Sequence, residues 1–175
     1  MPWANGLGVT ADVSTWPPDR PDWTWRLSIA DVSNDLPFSH MPGIDRHIMV
    51  AQGAGMALTI AGAAEVRMDL TTPPLTFDGA ANTTCRLLDG PIADLNLMVR
   101  RAAAIGELRC VRAAAHHDLR FGSNDVAVVV LAGTLTLRGG TLVGPFDALL
   151  ADGGVLDEAR TLTPAVVAIA TVVAV

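Results

Sequence analysis

The stretch Thr24–Ile60, TWRLSIADVSNDLPFSHMPGIDRHIMVAQGAGMALTI, decides the fold. In Trp25-Arg26-Leu27-Ser28-Ile29-Ala30 the large apolar residues fall on odd positions and the polar ones on even positions. That is the period-2 signature of a strand with unlike faces, where a helix would need a period of about 3.6. Pro42-Gly43 suits the two central positions of a type II turn, because proline presets φ at the first and glycine tolerates positive φ at the second. Two strands are therefore expected around a chain reversal, followed by a third at Met56–Ile60 joined through Gly53-Ala54-Gly55 as a hairpin connection. Arg46 shares strand parity with Ile48 and Val50. A guanidinium on a core-directed face asks for an anionic partner, since an unpaired buried charge is costly.

Outward from this stretch the same texture continues. Residues 1–22 are rich in turn formers, with one short strand expected near Val9–Val13. Further strands are expected near Glu65–Leu70, Thr83–Leu88, Ala93–Val99, Leu108–Ala114, Asp125–Leu131, Thr134–Arg138, Ala148–Leu150 and Ala165–Val173, with Phe77-Asp78-Gly79 as a turn. Along Ala93–Val99, Leu95, Leu97 and Val99 take one face while Asp94, Asn96 and Met98 take the other. The alanines of Ala102–Ile105 favour a helical turn that Gly106 cuts short. Short strands parted by turn residues indicate an all-β fold of antiparallel barrels or sandwiches with very little helix. A weak repeat divides it: Val50-Ala51-Gln52-Gly53 is echoed by Val130-Leu131-Ala132-Gly133, and Phe77-Asp78 by Phe146-Asp147. The expected organisation is an N-terminal arm plus first barrel over 1–100, a linker at 101–106 and a second barrel over 107–175, packed as one compact unit.

Composition excludes several classes of function. Half of the 175 residues are apolar, enough for a sizeable core. A formal charge of −6, with no basic cluster beyond Arg100-Arg101, argues against nucleic acid. All 12 basic residues are arginine, so Schiff-base chemistry and a P-loop, which need lysine, are excluded. Cys85 and Cys110 show no C-x-x-C spacing and read as buried reduced thiols, which fits the cytoplasm. No signal-peptide pattern is visible at the start. The apolar run Pro164–Val175 is far shorter than the roughly 20 residues that a bilayer demands, and its β-branched valines suit a strand covered on both faces. No membrane partner is expected.

The sequence carries no signature of a metal or nucleophile site. A metal-binding barrel typically shows an H-x-H pair with a following glutamate and a later histidine. His40, His47, His116 and His117 do not fit that pattern, although His40 and His47 flank one turn. They read as solvent-exposed turn histidines. Ser28, Ser39 and Ser123 lie in no G-x-S-x-G elbow. Asp31, Asp45, Asp78 and Asp94 are candidates for an acid–base pair, but acidic residues beside turns are usually solvated caps. What remains is a polar constellation of Arg26, Ser28, Arg46, Asp94 and Asn96, suited to a small carboxylate held by arginine.

At these residues the chain resembles the HutD/Ves family, closely over the first hundred residues and loosely beyond. Trp3, Asn5, Gly6, Gly8 and Thr10 resemble its W-x-N-G-x-G-x-T opening, and Trp25–Ala30 its W-R-hydrophobic-S-hydrophobic-A strand. Phe38-Ser39, Pro42-Gly43 and Asp45-Arg46 resemble its F-S-x-F-P-G-x-D-R turn, with Met41 in place of the usual aromatic. Gly90-Pro91, Asp94 and Asn96-Leu97-Met98 resemble its G-P-x-x-D-x-N-L-M block. The resemblance implies a bicupin without the standard cupin metal ligands, associated with histidine utilisation or with stress response. It also implies a cytoplasmic, non-catalytic or regulatory binder of a small acid such as formylglutamate or urocanate, with no cofactor. The ligand set is then Asn5, Arg26, Ser28, Arg46, Asp94 and Asn96. Homodimerisation stays open. The alternative is a metal-independent cupin enzyme, an acid–base isomerase or hydrolase acting on a small organic acid.

Overall fold

Alternation in sequence becomes alternation in space, but the strands pair in an order that the local pattern does not show. The computed structural model describes residues 8–151, 156 and 158–175. Strands β1 (Gly8–Trp16), β2 (Trp25–Val32), β3 (Leu36–Pro37), β4 (Ile44–Gln52), β5 (Met56–Ile60), β6 (Val66–Met68), β7 (Leu75–Asp78), β8 (Thr83–Leu87) and β9 (Ile92–Arg100) come first. They form a five-stranded sheet in the order β1-β2-β9-β4-β7 and a four-stranded sheet in the order β3-β8-β5-β6. After them come β10 (Ala104–Ala113), β11 (Asp118–Leu119), β12 (Asp125–Ala132), β13 (Leu135–Leu137), β14 (Leu142–Val143), β15 (Ala148–Leu150), β16 (Ala159–Thr161) and β17 (Ala165–Ala174). These make two four-stranded sheets, β10-β17-β12-β15 and β11-β16-β13-β14. No helix occurs among the described residues. The chain divides into two compact units, one running to Gly106 and including Ala174–Val175, the other Glu107–Val173.

Strand order repeats between the units. Replacing β2, β9, β4 and β7 by β10, β17, β12 and β15 converts the first sheet, less β1, into its counterpart. The same substitution carries β3-β8-β5-β6 into β11-β16-β13-β14. The echo of Val50–Gly53 in Val130–Gly133 is thus a true topological repeat, at the ends of the equivalent strands β4 and β12, whereas Phe77-Asp78 ends β7 and Phe146-Asp147 precedes its counterpart β15. Each unit is a sandwich of two sheets that do not close into a barrel.

Pro42-Gly43 does form the expected turn: Gly43 has φ +76° and the Ile44 amide donates to the Met41 carbonyl at 3.3 Å. It does not, however, make a hairpin of β2 and β4. Both strands run antiparallel to β9, which lies between them, because the intervening chain first crosses to the other sheet, where Leu36 pairs with Cys85. Gly53–Gly55 likewise carries the chain from one sheet to the other instead of closing a hairpin. Phe77-Asp78 is strand, not turn, with Phe77 opposite Arg46. The segment at 101–103 is a turn, and strand begins at Ala104 in place of a helical turn.

Between the two sheets of the first unit lies a core of Val32, Leu36, Ile48, Val50, Met56, Leu58, Met68, Phe77, Cys85 and Ile92. The second unit's core is Leu119, Val128, Val130, Leu135, Val143, Leu156, Ala159, Ala165, Val167 and Ile169, all apolar. The final strand is buried through its middle, but Val173 and Val175 are exposed.

Gly79 locks the turn that precedes β4. Its amide donates to the Ile44 carbonyl at 2.8 Å and its carbonyl accepts from the Met41 amide at 2.7 Å. A Cβ there would stand 2.7 Å from the Met41 oxygen and 2.9 Å from the Ile44 oxygen, both backbone atoms. Gly79→Ala is expected to destabilise by about 1–3 kcal/mol through overpacking. Gly43→Ala, where nothing lies within 4 Å of the added carbon, should cost about 1 kcal/mol for positive φ alone. Urea unfolding of the two variants measures the difference, and equal stabilities would show that the turn yields to the methyl group.

Candidate functional site

Three strands in register place the polar residues. Ser28 lies opposite Asn96 and Asn96 opposite Ile48; Ala30 lies opposite Asp94 and Asp94 opposite Val50. In the next row Arg26 faces Met98, and Met98 faces Arg46. Directly opposed residues share a sheet face. Ser28, Asn96, Asp94 and Arg46 therefore stand on the face of Ile48 and Val50, which looks into the core between the sheets. All four are nearly buried, with exposures of 2%, 4%, 2% and 7%.

Arg46 is the unusual member. Burial pulls its guanidinium pKa down, and the charge of Asp94 opposes that only in part. No carboxylate lies within ion-pair distance of it among the described residues. Its cation is sandwiched between aromatic rings, 4.7 Å from the centre of Phe38 and 5.3 Å from that of Phe77, inside the ~6 Å over which a ring face attracts a cation. Its Nε has no hydrogen-bond partner, and neither do Asp94 Oδ1 and Asn96 Oδ1. Burial pushes the Asp94 carboxyl up to about 7, with Arg46 acting the other way and Asp31 adding to the rise. Cys85, on β8, has its thiol pushed up to about 12, first by burial and then by the charges of Asp94 and Asp35.

The other sequence candidates have separate fates. Arg26 has the parity of Arg46 but is engaged by Asp12 on β1, through Nε at 2.7 Å and Nη2 at 2.6 Å. It borders a surface cavity of about 460 Å³ that Asp12, Pro18, Arg20 and Trp23 also line, where Arg20 is similarly held by Asp22. Asn5 lies outside the described residues, as do the other residues of the opening block before Gly8. Asp45 and Asp78 hold Arg101 at 3.0 and 3.2 Å. His40, His116 and His117 are exposed, whereas His47 is buried and shares a 2.8 Å hydrogen bond between Nδ1 and Thr76 Oγ1. His47 faces Leu97, on the side of the sheet opposite to Asp94, so the two do not form an acid–base pair. Among the described residues, no cluster of three or more His, Cys, Asp or Glu is placed to hold a metal.

Sequence reasoning missed the two rings that flank Arg46. Phe77 was open to recognition, because Leu75-Thr76-Phe77-Asp78 alternates apolar and polar residues between the prolines and Gly79. Phe38 follows a strand of two residues, too short to leave a periodic signal.

The chain also resembles proteins already known. It is 32% identical over 152 residues to protein Ves of Citrobacter koseri, covering 86% of this chain and 78% of that one. Against a 21.2 kDa protein from the hutC 3′ region of Pseudomonas putida it is 39% identical over 99 residues, 56% of this chain and 52% of the other. The structure of HutD from Pseudomonas fluorescens SBW25, determined in a formate condition, superposes with a TM-score of 0.82 at 30% identity, covering 100% of this chain and 93% of that one. A cupin 2 conserved barrel domain protein from Leptotrichia buccalis superposes with a TM-score of 0.60 at 10% identity, covering 96% and 89%, which shows a shared cupin fold. The HutD family model matches residues 1–168. This two-unit cupin-fold chain thus belongs to the HutD family, which is linked to a histidine-utilisation locus.

Proposed function

We propose that the first unit binds a small organic acid, such as formylglutamate or urocanate, in a non-catalytic or regulatory role tied to histidine utilisation. One observation carries this: Arg46 is 7% exposed, aromatic on two sides and without a carboxylate in contact. Ring faces attract a cation but accept no hydrogen bond from the guanidinium edge, so that edge stays unmatched. A ligand carboxylate is its natural complement, since the planar fork takes both carboxylate oxygens at once. Ser28 and Asn96, one row along the sheet, are positioned to add neutral hydrogen bonds. The structure of HutD from Pseudomonas fluorescens was determined in a formate condition, and formate is the smallest carboxylate with which to probe this site.

Asp94 suits the same role. With its pKa near 7 it is largely uncharged in mildly acidic solution, which spares an incoming anion a like charge in a dry interior.

Titration calorimetry with formate, glutamate, formylglutamate and urocanate tests the assignment. At least one acid is expected to bind below millimolar, and Arg46→Ala should weaken it by about 2–5 kcal/mol, against about 0.5–1.5 kcal/mol for Ser28→Ala. Unchanged affinity in Arg46→Ala would make Arg46 structural. Asp94 supplies a test that needs no ligand. Its folded pKa lies above its unfolded value, so the folded state keeps the proton longer and stability falls as pH rises from about 4 to about 7. Urea unfolding across that range should show the fall in wild type and a weaker one in Asp94→Asn. Parallel curves would place the Asp94 carboxyl at an ordinary pKa.

A further inference from the structure

The unmatched atoms inside the first unit are of both kinds. Arg46 Nε is a donor, while Asp94 Oδ1 and Asn96 Oδ1 are acceptors. A bare carboxylate bound to Arg46 would satisfy the donor and leave both acceptors buried and unpaired, which is unfavourable. Among the described residues, neither acceptor has a hydrogen-bond partner. The Cys85 thiol, the neighbour on β8, points its weak donor at Met56 Sδ, 3.8 Å away. The second unit shows how this chain treats a buried carboxylate that is only structural. Asp125, 3% exposed, accepts from Arg109 at 2.7 Å, Thr171 at 2.6 Å and the Gly122 amide at 2.7 Å. Asp94, equally buried, has an oxygen left open.

The register arranges the open groups in sequence along one face: Arg46 in the row of Met98, Asn96 in the row of Ser28, Asp94 in the row of Ala30. Rows on one face of a strand are about 7 Å apart. The order is cation, acceptor, acceptor. Resting on Arg46 as the carboxylate anchor, we propose that the ligand is an acid with an N–H or O–H donor several bonds from its carboxylate, and that Asp94 and Asn96 select it by accepting that donor. Acylated amino acids and azole-bearing acids have this chemistry. Acids that are apolar beyond the carboxylate lack it.

Isosteric pairs isolate the donor from the charge. N-acetylglycine, N-acetyl-β-alanine and N-acetyl-γ-aminobutyrate differ from 4-oxopentanoate, 5-oxohexanoate and 6-oxoheptanoate only in an N–H that becomes CH₂. Calorimetry on the full chain at pH 8, where Asp94 is chiefly an acceptor, reads the preference directly in wild type. In at least one pair the amide acid is expected to bind tenfold tighter or more, in line with sites that hydrogen-bond a substrate N–H. In Asp94→Ala/Asn96→Ala the preference should shrink to about twofold or less, and thermal melting confirms that this variant is folded. Equal binding within every pair overturns the proposal and leaves the Arg46 anchor standing, because the wild-type comparison needs no variant to fold. A preference that survives in the folded double variant also overturns it. If none of the six acids binds, this proposal fails, and the carboxylate reading stands or falls on the titrations with formate, glutamate, formylglutamate and urocanate.

Discussion

Everything distinctive about the first unit follows from a guanidinium taken out of water without an anion in contact. Transferring a charged group into an apolar interior is costly, and the usual remedy is a carboxylate at ion-pair distance. Arg46 has instead two aromatic faces, each worth about 0.5–2 kcal/mol, and a carboxyl that is near enough to be felt but not to touch. That is partial compensation. The scaffold holds it because β4 lies between β9 and β7 with Arg46 aligned on Met98 and Phe77. The side chain has apolar neighbours to both sides and the core beneath it.

The repeat makes the asymmetry of the two units informative. The same strand order builds both cores, so the scaffold alone does not require polar residues inside. On β12 and β17 the inward positions are Val128, Val130, Ala165, Val167 and Ile169, whereas β4 and β9 present Arg46, Asp94 and Asn96 among their apolar neighbours. Among the described residues of the second unit, the buried polar groups Asp125 and Thr161 are satisfied within the unit. One copy of the motif is thus filled as a packed core and the other retains open valences, in keeping with sites being additions to folds and not properties of them.

For most of the longer strands existence was legible because its signals are local, whereas short strands such as Leu36–Pro37 and Asp118–Leu119 left no periodic signal. Met56–Ile60 and Ala148–Leu150 have the bounds expected from the sequence, and the alternation over Trp25–Ala30 lies within β2. Pairing was not legible in the same way. Pro42-Gly43 announces a turn, but whether the turned chain lies beside β2 or on the far side of β9 depends on contacts some fifty residues away. The same limit separates the two arginines. Arg26 and Arg46 share parity and residue type, and only their outer neighbours differ: β1 offers Asp12 to the first and β7 offers Phe77 to the second. Nothing within either strand encodes that choice. His47 likewise reads as a turn histidine because it stands four residues past Gly43, and it is buried because β4 is covered on both faces.

The arrangement also bears on whether the interior could do chemistry. Proton transfer at neutral pH needs a donor and an acceptor of matched pKa on the same face, with the reacting atom between them. Asp94, near 7, meets the first half of that requirement. Its companions on the interior face do not meet the second: burial lowers the guanidinium pKa of Arg46, but Arg46 remains a fixed cation, and the Cys85 thiol, pushed up to about 12, holds its proton throughout the neutral range. His47, the residue with the right intrinsic chemistry, projects to the other side of the sheet. Among the described residues, Asp94 therefore stands beside a permanent cation with no second group of matched pKa on the same face.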